Sequence, residues 1–173
     1  MTLLASSRLH DRPAPTGPPS SDTIDLAVLV RSLAAQRALW VPKLKFTESR
    51  YWTRLPAPAG VDVWLLTWLP EQGTELHDHG ESSAAFTVVA GILTELRADH
   101  QGRVSTVELG IGGVRTVEPG IVHDVNNNGE LPEVSIHAYS PKLERMTYYE
   151  LADARPGRVL IPTRTVVGDE PEK

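Results

Sequence analysis

The chain has 173 residues, of which 40% are hydrophobic and 23% are charged, and its formal net charge is −5. This composition is ordinary for a globular domain, and the negative charge argues against nucleic acid or an anionic membrane as the main partner. The sequence has no cysteine, which excludes disulfides, thiolate metal ligands and cysteine nucleophiles. Its N-terminal apolar stretch is too short for a signal peptide, and no segment approaches the length of a membrane span. We therefore expect a cytoplasmic protein whose metal ligands, if it has any, are histidines or carboxylates.

The start of the chain divides into a polar arm and a helix. Residues 1–21, which include four prolines and a glycine between positions 11 and 21, are predicted to form a disordered arm. Ser21 or Asp22 can then cap a helix over residues 23–39. Its apolar positions recur at roughly helical spacing and predict one amphipathic helix; they are Ile24, Leu26, Leu29, Leu33 and Leu39.

From about residue 50, short segments rich in β-branched and aromatic residues alternate with turn signals. The segments are 50–55, 61–69, 84–96, 103–109, 112–118, 133–140 and 146–151. Repeated short strands of this kind are typical of an antiparallel sandwich or barrel. We predict a mainly β fold with a leading helix, as one domain over residues 22–163. A turn-rich loop is expected at 125–132, and a C-terminal tail that frays at 164–173.

Three histidines are placed where strands can bring them together. On a strand, residues i and i+2 point to the same side, so His77 and His79 project into one space and can share a cation. His123 follows a turn that Pro119 and Gly120 set. Histidine is the commonest protein ligand for transition metals, so a metal site is one interpretation of these residues.

A second pattern lies in the segment EVSIHAYS. Ser135, His137 and Tyr139 share one face of the predicted strand, which places a hydroxyl, an imidazole and a phenol in a row, as a hydrogen-bonded relay requires. Each pattern taken alone is more often an ordinary surface pair, loop residue or half-buried strand. Their occurrence together, in this order, favours a functional site. His10 in the arm and His100 at a hairpin tip are interpreted as solvated residues.

With these residues the chain resembles the cupin superfamily, whose motifs are roughly G-x-H-x-H-x-E-x-G and G-x-P-x-G-x-x-H-x-x-x-N. The first motif is matched by Gly73, His77, His79 and Gly91, and the second by Gly113, Pro119, Gly120, His123 and Asn127. The resemblance implies a cupin jelly-roll β-barrel. Ser83 and Ala84 stand where the glutamate of the first motif is expected, so a fourth protein ligand is absent unless Glu81 swings in.

A cupin with three histidines and no glutamate resembles the thiol dioxygenases, and among them the cysteine dioxygenase family. The segment RYWTRL offers Arg54 where that family has a Tyr-x-Arg stretch, and Trp68 shortly precedes the HDH segment. SIHAYSP at 135–141 reproduces the family's S-x-H-x-Y-S-P. The resemblance extends over about residues 22–155.

The resemblance also implies roles for single residues. It implies that Fe(II) is bound by His77, His79 and His123. It implies that Arg54 holds the carboxylate of the substrate, and that a relay with its terminal hydroxyl facing the iron is formed by Ser135, His137 and Tyr139. Some family members cross-link the tyrosine to a cysteine, which this chain cannot do because it has none.

The activity implied is oxidation of L-cysteine by O₂ to cysteine sulfinic acid, with a small thiol and O₂ as the only partners and a monomer or weak homo-oligomer as the assembly. Three neutral imidazoles leave Fe(II) its full charge and open positions for thiolate and O₂. Relatives that prefer 3-mercaptopropionate often carry glutamine at the arginine position, so Arg54 favours cysteine. The alternatives are a dioxygenase of 3-mercaptopropionate or another small thiol, a non-catalytic metal-binding cupin, and a hydrolytic zinc enzyme.

Overall fold

The computed structural model describes residues 24–99, 101–154 and 157–168. Within these residues, helices α1 (Leu26–Ala35) and α2 (Arg37–Trp40) and a 3-10 turn (Val41–Lys43) precede the strands. The strands are β1 (Tyr51–Arg54), β2 (Asp62–Trp68), β3 (His77–Asp78), β4 (Ser83–Ala90), β5 (Ile92–Ala98), β6 (Val104–Gly110), β7 (Val114–Val117), β8 (Val122–Asn126), β9 (Glu133–Ser140), β10 (Arg145–Ala154) and β11 (Gly157–Val167). None of the described helices is long and apolar enough to cross a membrane.

The strands form two antiparallel sheets. One has the order β1-β2-β9-β4-β7, and the other has the order β11-β10-β3-β8-β5-β6. Consecutive strands often lie in different sheets or are separated by others, which is the connectivity of a jelly roll. The predicted mainly β jelly-roll barrel with an N-terminal helix is therefore confirmed.

The five-stranded sheet separates two apolar clusters, because side chains alternate between its faces. On β2, Val63 and Leu65 face α1 and belong to what we call the outer core, together with Ile136 of β9. Trp64 and Trp68 face the opposite sheet and belong to the inner core. Interleaved apolar positions on both faces explain why β2 is buried along its whole length.

The predicted helix forms in two pieces rather than one. Asp25 caps α1, because its side-chain Oδ1 accepts a hydrogen bond of 3.1 Å from the amide of Val28, so the expected cap at Ser21 or Asp22 is wrong. At Gln36 the backbone leaves the helical region, with φ −89° and ψ 63°, and its amide donates to the Leu33 carbonyl. One non-helical residue, Gln36, therefore separates α1 from α2.

Two boundaries predicted in the C-terminal half, the start of the tail and the start of the loop after β8, lie too early in the sequence. The tail was expected from residue 164, but β11 continues to Val167, which pairs with Arg145 of β10. This strand is largely exposed and has no alternating pattern of apolar residues, so its sequence does not predict a strand. It forms because it pairs with β10. The predicted loop 125–132 begins later, because β8 extends to Asn126 opposite Thr94. The predicted arm 1–21 lies outside the described residues.

Candidate metal centre

The three clustered histidines come from two neighbouring strands of the six-stranded sheet. His77 of β3 lies directly opposite His123 of β8, so the two side chains leave the sheet on the same face. His79 follows β3 by one residue and returns to that face. The pairing register, together with the i, i+2 spacing, therefore assembles all three imidazoles on the inner side of the barrel.

The three ring nitrogens that face one another all lie within 4.8 Å of one another, which is close enough for them to share an ion. The Nε2 atom of His79 lies 3.2 Å from Nε2 of His77 and 3.3 Å from Nε2 of His123. Nitrogens held about 2.1 Å from one ion are ~3.0 Å apart at right angles and ~3.4 Å apart at tetrahedral angles. The three side chains are 4%, 3% and 2% exposed, so such an ion would be shielded from water on this side. Among the described residues, this is the group of histidines and carboxylates whose ligand atoms come close enough to share an ion.

The outer ring nitrogens have different surroundings. His77 donates from Nδ1 to the carbonyl oxygen of Glu75 at 2.8 Å, and His123 donates from Nδ1 to Oε1 of Glu95 at 2.9 Å. The buried Nδ1 of His79 has no hydrogen-bond partner among the described residues. Burial, reinforced by the nearby His123, holds the pKa of His77 and of His79 well below the usual histidine range. These imidazoles are therefore neutral at physiological pH and can act as ligands.

Glu95 was not identified from the sequence as a site residue. Its carboxylate is 1% exposed and lies 2.6 Å from Nε of Arg115 and 3.0 Å from Nη2 of Arg97. Burial alone would raise the pKa of Glu95, but the hydrogen bonds from His123, Arg97 and Arg115 outweigh burial and lower the pKa to about 2. A carboxylate that is always ionised therefore stands behind one metal-ligand candidate.

The cluster contains no carboxylate ligand within the described residues. Glu81, the one acidic residue that could have replaced the missing cupin glutamate, is exposed and is not part of the cluster. Asp78 points away from the histidines, where it accepts hydrogen bonds from the hydroxyl of Tyr149 at 2.6 Å and from the amide of Gly80 at 2.9 Å. These bonds fix the turn that carries His79 back toward the barrel.

The predicted relay is partly assembled on β9. The Oγ of Ser135 accepts from Nε1 of Trp68 at 2.9 Å and lies 2.8 Å from Nε2 of His137. Phe86 stacks on the His137 ring, with centroids 4.9 Å apart and planes at 8°. Burial lowers the pKa of His137 to about 3, so its ring is neutral and its tautomer decides whether Nε2 accepts from the Ser135 hydroxyl or donates to it.

Tyr139 is close to the metal-ligand candidates and belongs to the same face. Its ring centroid lies 5.0 Å from that of His79, edge to face. Among the described residues, the side-chain hydrogen bonds of this strand join Ser135 to Trp68 and His137. They do not reach the Tyr139 hydroxyl. Burial raises the pKa of Tyr139, so the phenol keeps its proton and can only act as a hydrogen-bond donor or acceptor near neutral pH.

The two arginines of the RYWTRL segment lie at different depths. Arg54 is exposed at the end of β1, with its guanidinium 5.6 Å from the centre of the Trp64 ring. Arg50 is partly buried and donates from Nη1 to the carbonyl of Gly73 at 2.6 Å. The charge of Arg50 contributes to the lowered pKa of His77 and of His137. The sequence analysis singled out Arg54 and gave no role to Arg50, which directly precedes β1.

Comparison with solved structures identifies the fold. The barrel matches TT1209 from Thermus thermophilus with a TM-score of 0.51 and 17% identity, over 58% of this chain and 93% of that one. It matches an oxalate oxidase in complex with its substrate analogue glycolate at 0.52 and 14%, over 60% and 57%. It also matches the Cnp3 cupin domain of Schizosaccharomyces pombe at 0.50 and 11%, over 58% and 71%. The fold is therefore that of the cupins.

The family is defined by sequence. The profile of cysteine dioxygenase type I matches residues 21–152, and the chain belongs to this family. Family membership agrees with the resemblance drawn from the HDH and SIHAYSP segments, and it supports a thiol dioxygenase type of metalloenzyme.

Proposed function

We propose that the protein is an Fe(II)-dependent thiol dioxygenase that oxidises L-cysteine to cysteine sulfinic acid. The observation that carries this proposal is the convergence of three buried imidazoles, with no carboxylate ligand beside them among the described residues. That donor set suits a divalent iron that must keep open positions for a thiolate and for O₂. It occurs here in a member of the cysteine dioxygenase type I family.

The proposed reaction balances without any further reductant. When bound, iron would supply the sites at which the thiolate and O₂ meet and the path for electrons between them. The O–O bond breaks, two S–O bonds form, and sulfur gives up the four electrons that O₂ accepts. The thiol proton leaves to solvent, and the product is the sulfinate.

The inner face of β9 would position the reactants. The protonated hydroxyl of Tyr139, on the ring adjacent to His79, can donate a hydrogen bond to an oxygen atom at the reacting centre. Behind it, Trp68 donates to Ser135, whose hydroxyl is hydrogen-bonded to His137 and so holds the imidazole in place. This order of groups supports a role for the strand in orienting the substrate rather than in removing a proton from it.

A cationic group is needed to bind the substrate carboxylate, and the proposal assigns this role to Arg54. Arg54 lies over the ring of Trp64, which itself packs edge-on against Tyr139 with centroids 6.3 Å apart. A guanidinium can bind a carboxylate through two parallel hydrogen bonds. We expect Arg54→Ala to raise KM for L-cysteine by 10-fold or more while hardly affecting cysteamine, which has no carboxylate.

Arg50→Ala is the matched comparison for that experiment. Because Arg50 is tied to the Gly73 carbonyl and its charge acts on His77, its loss should disturb turnover of both thiols alike. The reverse result, a carboxylate-selective defect in Arg50→Ala alone, would move the substrate clamp to Arg50.

The test of the activity is O₂ uptake by iron-loaded protein with L-cysteine and 3-mercaptopropionate in parallel, with sulfinate measured by mass spectrometry. One sulfinate per O₂ from L-cysteine is the expected result. His100→Ala serves as the control, since it removes a histidine that the sequence places at a hairpin tip. Preference for 3-mercaptopropionate would keep the chemistry and change the substrate. No uptake with either thiol, in protein that binds iron, would favour a non-catalytic cupin. Hydrolytic activity of zinc-loaded protein, without O₂ uptake, would favour a hydrolase.

A further inference from the structure

His123 differs from the other two clustered histidines in what lies behind it. His77 has a backbone carbonyl at Nδ1, and Nδ1 of His79 has no described partner, whereas Nδ1 of His123 meets the carboxylate of Glu95 at 2.9 Å. We call the group of Glu95, Arg97 and Arg115 the carboxylate bridge. Both arginines contact Glu95, and Glu95 contacts the outer ring nitrogen of His123.

The strand register explains why this carboxylate reaches the imidazole. Arg97 of β5 pairs with His123 of β8, and Glu95 pairs with Val125, so Glu95 is the diagonal neighbour of His123 on the same face. Leu93, two residues earlier, is fully buried in the inner core, which confirms that this face of β5 is turned inward. A glutamate at this position is thus buried by the register.

The bridge also joins the two sheets. Arg115 belongs to β7 of the five-stranded sheet, opposite Phe86, and its Nε reaches across to Oε2 of Glu95 at 2.6 Å. Arg97 starts from the six-stranded sheet and donates from Nη2 to the carbonyl of Thr116 at 2.6 Å. Glu95 therefore accepts from three donors on three strands, and its position is fixed from both sides of the barrel.

The chemical effect on His123 follows from this arrangement. A carboxylate at Nδ1 keeps the proton on that nitrogen, leaves the Nε2 lone pair pointing at the cluster and makes the imidazole a stronger electron donor. Two guanidinium groups on the same carboxylate withdraw part of its negative charge and so limit this donation.

We propose that Glu95 is a positioning residue of the metal site, which orients His123 and strengthens it as a ligand, and that Arg115 and Arg97 set how strong this effect is. This inference rests on the proposed metal site. It predicts different effects for substitutions of two residues that contact each other. Loss of the Glu95 carboxylate weakens metal binding, and loss of Arg115 does not.

The test is Co(II) and Fe(II) affinity of wild-type protein and variants, measured by competition with a chelator, with the Co(II) absorption spectrum as a reporter of ligand geometry. Glu95→Gln should lower affinity by about 10- to 100-fold. Glu95→Asp should also lower affinity and shift the spectrum, because it keeps the charge against both arginines but withdraws the carboxylate from Nδ1. Arg115→Gln should bind metal at least as tightly as wild-type protein.

Glu133→Gln is the matched control. Glu133 is a second buried glutamate, but its Oε1 accepts a hydrogen bond from the backbone amide of Ile92 and not from a clustered histidine. We expect its metal affinity to stay within about 2-fold of wild type. Near-UV circular dichroism of each metal-free variant establishes that the barrel is folded.

The outcomes separate the inference from the proposed function. Wild-type protein that binds neither metal would overturn the proposed metal site, and the inference with it. Metal binding in wild type with unchanged affinity in both Glu95 variants would overturn the inference alone. Equal weakening in Glu95→Asp and Arg115→Gln, with an unshifted Co(II) spectrum, would also overturn it, because it would make the bridge a purely structural link between sheets.

Discussion

The outer and inner cores lie on opposite faces of the same sheet, yet they contain different chemistry. The outer core packs α1 against the five-stranded sheet through apolar side chains such as Val30 of α1 and Ile136 of β9. Beside the inner core, four histidines and Glu95 are buried, and hydrogen bonds join Glu95 to His123 and Ser135 to His137. The difference indicates that the outer core mainly stabilises the barrel, whereas the inner core accepts the penalty of burying polar groups in order to build a site.

The largest effect that separates the two cores is expected on the inner side. His123→Ala removes one of three converging nitrogens, and two imidazoles hold a divalent ion poorly, so Fe(II) affinity should fall by at least about 100-fold and thiol oxidation should be lost. Iron content after dialysis and O₂ uptake are the measurements. A variant that keeps one iron per chain would remove His123 from the ligand set.

The corresponding change in the outer core should affect stability alone. Ile136 is fully buried against α1, and Ile136→Ala deletes buried methyl groups and leaves a cavity, so the free energy of unfolding should fall by about 2–5 kcal/mol. Fe(II) affinity of the folded variant should be unchanged. Denaturant unfolding and metal titration measure the two quantities, and a parallel loss of metal affinity would contradict the division between the cores.

The pH dependence of stability should report on the inner core. The folded pKa of His137 is about 3, far below the unfolded value, so between these values the unfolded chain binds one more proton at this site than the folded chain. Stability from this group is therefore complete above about pH 6.5 and is lost as pH falls, by about 1.4 kcal/mol per pH unit. Unfolding of chelator-treated protein between pH 7.5 and 5 should show a shallower slope for His137→Gln than for wild type. Identical slopes would mean that His137 is protonated in the folded state.

The smallest expected effect belongs to the edge of the outer core. Asp25 accepts the amide proton of Val28 at the start of α1, so Asp25→Ala should lower the free energy of unfolding by about 1 kcal/mol. Asp25→Asn is the control, because it keeps a side-chain oxygen that can cap the helix. A loss as large as that of Ile136→Ala would show that Asp25 does more than cap.

Local patterns were sufficient to predict most of the barrel and the three histidines. Period-2 alternation marks β9 and a nearly continuous apolar run marks β2, and His77 and His79 share a side wherever a strand or an extended turn contains them. The helix break at Gln36 was not foreseen, because the apolar spacing continues through it to Leu39. β11 was missed because its order depends on a partner strand and not on its own residues.

The parts of the site that were missed depend on contacts between distant residues. Glu95 has apolar residues on both sides, and only the register with β8 decides that it faces His123. The different depths of Arg50 and Arg54 likewise depend on where β1 begins and how it pairs with β2, which the segment alone does not show. Periodicity gives the face of a residue but not its neighbour on the next strand.

The histidines beside the two-residue strand β3 and on β8 join distant parts of the chain. A cation held by His79 and His123 would tie together two points that lie 44 positions apart in the sequence. The enclosed segment contains β4, β5, β6 and β7, which contribute to both sheets. Because only the folded chain holds these two histidines together, the ion would bind the folded state and stabilise it by mass action. Release of the ion and unraveling of the two sheets should then occur as one cooperative event, with a melting temperature that rises with free metal concentration.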